Sequence, residues 1–241
     1  MSDGKLTKEQ LTEQIYNYLW RITHANDCLE LYKTIHNATR TRLEEMNYAP
    51  CFFSKVRESI RIDLFMTTAK LFDNSKGTMS IKKLLDICSE NKHCFPNEYK
   101  VNFFNSLCPE EEAGEYQTIK VDIVADIDDA NKRLEGLQPQ IKNLMTRRNK
   151  YYAHADKKYI MDVKKLTSEA PVAHNDIKEL LSFASDVCNK LLCNLNQSRF
   201  FTQSSNVDDL MDLLDALHRS KARGKLEDIK AGGVDNPPDS W

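Results

Sequence analysis

The sequence predicts an all-α fold, a helical bundle of long antiparallel helices with short helices inserted between them. Three observations carry this expectation. Gly and Pro number only seven each in 241 residues, too few breakers for many short strands joined by turns. Apolar residues recur at steps of three and four over most of the chain, the period of a buried helical face. Strand-like alternation is nearly absent. Residues 1–200 form the expected helical domain, and 201–241 an appended amphipathic helix and flexible tail.

The elements follow in order. Thr7-Lys8-Glu9-Gln10 reads as a capping box, in which threonine and glutamine each satisfy an orphan amide at a helix start. Behind it Leu11, Ile15, Tyr18, Ile22, Ala25, Leu29 and Tyr32 form one stripe, and the helix is expected to run to about residue 46. Pro50 marks the break. A second helix over 52–72 carries two stripes: Val56, Ile60, Leu64 and Leu71 on one side, Ile62, Phe65, Ala69 and Phe72 on the other. A helix apolar on two sides belongs in the middle of a bundle. Asp73-Asn74-Ser75-Lys76-Gly77 is a turn cluster. Short helices are expected over 80–90 and 97–107, then an acidic linker over 109–115.

A long helix is expected from 116 to about 155, with Tyr116, Ile119, Ile123, Ile127, Ala130, Leu134, Leu137, Ile141 and Leu144 inward and a kink near Gly136 and Pro139. Residues 157–175 read as a connection. Residues 176–200 read as a helix burying Ile177, Leu180, Leu181, Ala184, Val187, Leu191 and Leu195. A last helix over 205–219 uses Val207, Leu210, Met211, Leu214 and Leu217; it either packs back on this chain or docks on an inhibitor or second subunit.

Composition removes several function classes. The formal net charge is -2, with 29% charged residues of mixed sign. That argues against coating nucleic acid by bulk charge, so any such contact needs a local basic patch. No apolar run approaches the roughly 20 residues that span a bilayer. The first residues, Met1-Ser2-Asp3-Gly4-Lys5, lack the apolar stretch of a secretory signal. A cytoplasmic protein with reduced thiols is expected, its seven cysteines being odd in number and irregularly spaced.

The chemistry concentrates at the end of the long helix. Continuing the stripe past Leu144 by the same steps brings up Arg148, Tyr151 and Ala155. The pattern asks for an apolar side chain at 148 and receives a guanidinium. An inward arginine without a partner costs on the order of several kcal/mol, so it should face a counter-charge, an interface or a cleft. Arg147 lies beside it, Asn149, Lys150 and Tyr152 follow, and His154 and Asp156 come one turn after Tyr151. Guanidinium groups match phosphate oxygens with a planar fork of donors. An imidazole titrates near neutrality and can take or give a proton. On an ideal helix Arg147 and His154 share a face, whereas Arg148 and His154 are separated by roughly 120°. Convergence of the latter pair needs distortion at the helix end or a second subunit. A salt-bridged arginine and a helix-end histidine without chemistry is the competing reading.

The stretch Arg148-Asn149-Lys150-Tyr151-Tyr152-Ala153-His154-Ala155-Asp156 resembles the motif of the HEPN superfamily, an arginine, then four to six residues, then histidine, with a polar residue after the arginine. The Arg-Asn-Lys start and Ala-His-x-Asp end resemble its abortive-infection-U-like (AbiU-like) branch. So do Ala69-Lys70-Leu71-Phe72-Asp73, Ser80-Ile81-Lys82-Lys83-Leu84-Leu85 and the apolar, aromatic opening helix. The resemblance covers residues 5–200. It implies a four- or five-helix bundle that forms a homodimer with two motifs meeting at the interface. It also implies metal-independent RNA cleavage without a cofactor, used in phage defence or as a toxin held by an antitoxin or other regulatory partner. Its catalytic set would be His154 as general acid or base, Arg148 holding the phosphate and Asn149 orienting. Arg147, Lys150, Tyr151 and Asp156 would line the RNA. A binding module of the same fold that does not cut RNA is the alternative.

Other clusters offer less. Cys88, His93, Cys94 and Cys108 match no ordinary zinc spacing, and no metal is expected. His24, His36, His174 and His218 are scattered and read as surface or core-edge residues. Asp122, Asp126 and Asp129 read as a solvated face opposite the apolar stripe. No glycine-rich phosphate loop, nucleophile elbow or HExxH occurs.

Overall fold

The computed structural model describes residues 5–102, 116–153, 163–204 and 208–230. Helix α1 (Lys8–Thr41) opens on the expected capping box: the Thr7 hydroxyl accepts from the Gln10 amide at 3.3 Å, and the Gln10 side chain accepts from the Thr7 amide at 3.0 Å. The helix stops short of the predicted residue 46. At Arg42 the backbone leaves the helix (φ -135°, ψ 37°), and a four-residue helix α2 (Leu43–Met46) follows. The break falls after Thr39-Arg40-Thr41, where threonine is a weak helix former, and the Arg42 guanidinium reaches Asp215 at 2.5 Å.

Helix α3 (Pro50–Phe72) begins on the proline itself, a residue suited to a first helical position because it has no amide to leave unpaired. Leu64, Phe65, Ala69, Leu71 and Phe72 are buried, whereas Ile62 is exposed, contrary to the second predicted stripe. Helix α4 (Ile81–Glu90) starts on Ser80, whose hydroxyl accepts from the Lys83 amide, and buries Ile81, Leu84, Leu85 and Cys88 as predicted.

The main correction lies between residues 97 and 122. A helix was expected over 97–107 and another from 116; instead β1 (Glu98–Asn102) pairs antiparallel with β2 (Tyr116–Lys120), Tyr99 opposite Ile119. Residues 103–107 and the acidic linker lie outside the described residues. The steps from Tyr116 to Ile119 and Ile123 fit a helix by coincidence. Asp122 ends that run by accepting from the Ala125 amide at 3.0 Å and capping α5 (Ile123–Gly136). The hairpin is tied down where Tyr99 meets Cys193 at 3.5 Å.

The predicted kink is a full break. Helix α5 ends at Gly136 and α6 (Gln138–Arg147) restarts with Pro139 in its first turn. The stripe from Ile123 to Leu144 nonetheless stays buried across the break. After α6 the chain widens into a π-helical turn over Arg148–Ala153. The stretch read as a connection contains helix α7 (Val163–Glu169), and α8 (His174–Asn196) ends four residues earlier than expected, at Gln197 in the left-handed region (φ 57°). Helix α9 (Asp208–Lys230) extends past the predicted residue 219.

The core lies between α1, α3 and α8, closed by α4, α5 and α6. Leu11, Ile15, Leu19, Ile22 and Leu29 of α1 face Leu64 and Leu71 of α3 and Leu180, Leu191 and Leu192 of α8, all essentially inaccessible. Removing such side chains from water, at about 25 cal/mol per Å² of apolar surface, drives the assembly. A second, smaller cluster seats Leu214 of α9 against Ile35, Ala38, Met46 and Phe53. Among the described residues no helix is long and apolar enough to cross a membrane. Described cysteines 28, 51, 88, 94, 188 and 193 are free thiols. Cys88 is fully buried and Cys94 sits against the Leu6 carbonyl, while Cys108 lies outside the described residues.

Candidate functional site

The site is built where the end of α3, the end of α6 and the end of α7 meet. The Asp73-Asn74-Ser75-Lys76-Gly77 cluster turns the chain out of α3, with Gly77 in the left-handed region (φ 80°) that its missing Cβ permits. Side chains lock this turn. One Asp73 carboxylate oxygen accepts from the Ser75 amide at 2.9 Å, the Ser80 hydroxyl donates to Asn74 at 2.6 Å, and the Thr78 hydroxyl donates to the Asp73 carbonyl. The second Asp73 oxygen is thereby held toward α6.

Arg148 meets it there. Its Nη1 donates to Asp73 at 2.6 Å and its Nε donates to the Asn149 side-chain oxygen at 2.9 Å. The ion pair is shielded, with side-chain exposures of 17% for Arg148 and 11% for Asp73. Burial works to raise the Asp73 pKa, but the Arg148 guanidinium and the Ser75 amide outweigh it and hold the carboxyl at about 2. The inward arginine of the α6 stripe therefore faces a fixed negative charge, which offsets the cost of burying it. These contacts use two of its five guanidinium donors.

The neighbouring arginine has a different setting. Arg147 Nε donates to the Ala170 carbonyl at 2.6 Å, and its guanidinium lies 6.0 Å from the centre of the Phe65 ring. It ties the end of α6 to the α7–α8 junction and to α3. Tyr151 is half-buried and packs on Leu166 and Ala170. Asn149 is half-buried and Lys150 exposed. The structure thus gathers Arg148, Asn149 and Asp73 into one contact set and places Arg147 and Tyr151 on the adjoining α7 side. His154 and Asp156 lie outside the described residues.

All of this sits on the π-helical turn, an uncommon geometry that occurs as single turns and often at functional sites. Widening the turn changes the angular step per residue, so positions read from an ideal α-helix do not carry through 148–153. Asp73 was the residue that sequence reasoning missed. The turn and the Ala69–Asp73 resemblance were both visible, but nothing local ties a carboxylate to an arginine 75 positions later.

Four of the other acidic and histidine positions make contacts away from this site. Asp122 caps α5, and Asp126 accepts from Asn194 at 2.6 Å and lies 3.5 Å from Lys190. His218 pairs with Glu45 at 2.6 Å, and His174 lies against Tyr32, its pKa lowered by burial and then by His36 and Lys33.

No curated protein and no solved structure matches the chain. A family model does, over residues 8–219, spanning the helices, the locked turn and the arginine motif. An all-α bundle that matches over most of its length, with the motif arginine carried at the end of an inner helix, makes this chain a member of the AbiU2 family of HEPN proteins.

Proposed function

We propose that the protein is a metal-independent HEPN endoribonuclease acting in phage defence or as a toxin. The observation that carries the reading is the preset guanidinium. Arg148 is fixed by Asp73 and Asn149 on a widened turn, directly ahead of His154 in the sequence. An arginine held this way needs no reorganisation when a phosphodiester arrives, and preset donors stabilise developing charge best. In this reading Arg148 is the motif arginine, which its contacts to Asp73 and Asn149 support, and Arg147 stands beside it along the RNA.

In this reaction the 2′-hydroxyl of one nucleotide attacks the neighbouring phosphorus. The 2′-oxygen–phosphorus bond forms as the bond from phosphorus to the 5′-oxygen of the next nucleotide breaks. The proton of the 2′-hydroxyl is taken up, one is delivered to the leaving 5′-oxygen, and a 2′,3′-cyclic phosphate results. His154 performs proton transfer, Arg148 holds the phosphate and Asn149 orients the set, with Lys150, Tyr151 and Asp156 along the RNA. A homodimer placing two motifs face to face completes the cleft, and an antitoxin or regulatory partner restrains the activity. The family match to AbiU2 over residues 8–219 supports the same reading.

The test is cleavage of RNA oligonucleotides in the presence of a chelator. His154→Ala should lower cleavage by about 10²–10⁴-fold, the usual worth of positioned proton transfer. Arg148→Lys keeps a cation for Asp73 but removes the planar fork, and should lose cleavage with the fold retained. A single 2′-deoxy nucleotide at the cut site should block cleavage there. Cleavage at the wild-type rate by His154→Ala rules the nuclease reading out. RNA binding without cleavage by every variant selects the alternative, a HEPN binding module.

A further inference from the structure

We propose a zinc site on the α1–α3 seam formed by His24, Cys28 and Asp63. His24 and Cys28 are one turn apart on α1, so their side chains lie over each other on one face. Asp63 reaches across from α3. His24 Nε2 lies 2.7 Å from Asp63 Oδ2, and Cys28 Sγ lies 3.8 Å from that nitrogen and 3.7 Å from that oxygen. One nitrogen, one sulfur and one oxygen therefore converge within 4.8 Å.

These separations suit a tetrahedral ion. Zinc sits about 2.3 Å from thiolate sulfur, about 2.0–2.1 Å from imidazole nitrogen and about 2.0–2.2 Å from carboxylate oxygen. At tetrahedral angles such bonds place sulfur about 3.6 Å from each lighter donor and nitrogen about 3.4 Å from oxygen. Both sulfur separations are already within about 0.2 Å of that value. Only the histidine–aspartate contact must open, as the ion takes the place of the hydrogen bond. Thiolate and imidazole together favour zinc over magnesium or calcium.

The surroundings meet the other requirements of a site. Cys28 is buried and forms the floor, while the side chains of His24 and Asp63 are 55% and 48% exposed and form an open rim. That leaves an entry path and a fourth position for water. The outer oxygen of Asp63 accepts from the Thr67 hydroxyl at 3.0 Å, which orients the carboxylate as outer partners of metal ligands do. On binding, Cys28 gives up its thiol proton and the imidazole carries its proton on Nδ1. The ion joins two core helices about 15 Å along α3 from Asp73, so it acts as a staple of the bundle, and the proposal is independent of the nuclease reading.

Full-length protein, kept reduced with a non-chelating phosphine, is titrated with zinc against a chromophoric chelator and separately with Co(II). The wild type is expected to take one equivalent, to show a thiolate-to-cobalt charge-transfer band with intense visible absorption, and to melt at a higher temperature with zinc. His24→Ala, at an exposed position that the fold tolerates, and Cys28→Ser should each weaken binding by more than about 100-fold, since loss of even an outer partner costs about 10–100-fold. His93→Ala combined with Cys94→Ser should keep both the band and the stoichiometry. Absence of stoichiometric uptake by the wild type overturns the proposal. So does an unchanged band in His24→Ala and Cys28→Ser, or its loss in the His93/Cys94 variant.

Discussion

Ion pairs of opposite kinds lie beside the two ends of α3. Beside its C-terminus the Asp73–Arg148 pair is almost closed off from water. At its N-terminus, α9 is fastened beside Phe53 by three contacts on α1–α2: Arg42 with Asp215, Glu45 with His218, and Glu44 with Lys221. Arg42–Asp215 and Glu44–Lys221 are open to water, Glu44 being 72% exposed, whereas Glu45 is buried beneath an exposed His218. Exposed pairs are screened and contribute little, with Leu214 supplying the adhesion through its buried side chain. Shielded pairs are weak sources of net stability, yet removing one partner strands the other charge. The two open pairs, Arg42–Asp215 and Glu44–Lys221, should therefore matter less than Asp73–Arg148.

The sharpest way to break this contrast is Arg148→Ala. It leaves the Asp73 carboxylate shielded without its cation and should destabilise the fold by about 2–4 kcal/mol, read as a lower denaturation midpoint in urea. Asp73→Asn in the Arg148→Ala background should recover part of that loss, because the stranded charge is gone. A cycle showing no coupling would mean the pair is idle.

Next in size is Leu214→Ala, expected to cost about 2–3 kcal/mol locally. Its loss should appear as faster amide exchange in α9 with the α1–α3–α8 core unchanged. Global unfolding in one transition with the core would merge the two regions that the comparison separates.

Acid titration sharpens the contrast further. The Asp73 pKa is depressed from 3.8 to about 2 in the folded state. Its stabilisation is therefore fully present above about pH 4 and is lost as the pH falls from there through about 2, a contribution of about 2 kcal/mol. Wild type should lose stability across that window more steeply than Asp73→Asn, measured as the difference in melting temperature against pH. Parallel curves would remove Asp73 as the cause.

The smallest effects belong to the exposed clasp. Asp215→Asn and Lys221→Ala should each leave the urea midpoint almost unchanged, with still less effect at high salt. A larger, salt-insensitive loss would make the clasp equal to the buried pair.

The sequence was most legible where one period ran unbroken. The α1 stripe from Leu11 to Leu29, those of α4 and α8, and the Ile123–Leu144 face of α5 and α6 are buried as their spacing predicts, while Tyr32 is half-buried. It was least legible over 97–122, where five-residue strands are too short for alternation to stand out against a chance helical spacing. The HEPN resemblance rested on residues 69–73, 80–85, the opening helix and above all 148–156, whose first six residues form the π-turn. The anomaly at 148 was visible because a charged residue occupied a slot that the period reserved for an apolar one.

By itself, the sequence determined the long core helices, the inward direction of Arg148 and the family, because periodicity, caps and motif are local properties of the chain. Tertiary structure alone decided that Arg148 meets Asp73, that Arg147 turns to Ala170 and Phe65, and that Asp63 reaches His24 and Cys28. Those contacts join residues far apart in the chain. Helical period fixes which face a side chain occupies, but only packing of one helix on another fixes what stands opposite it.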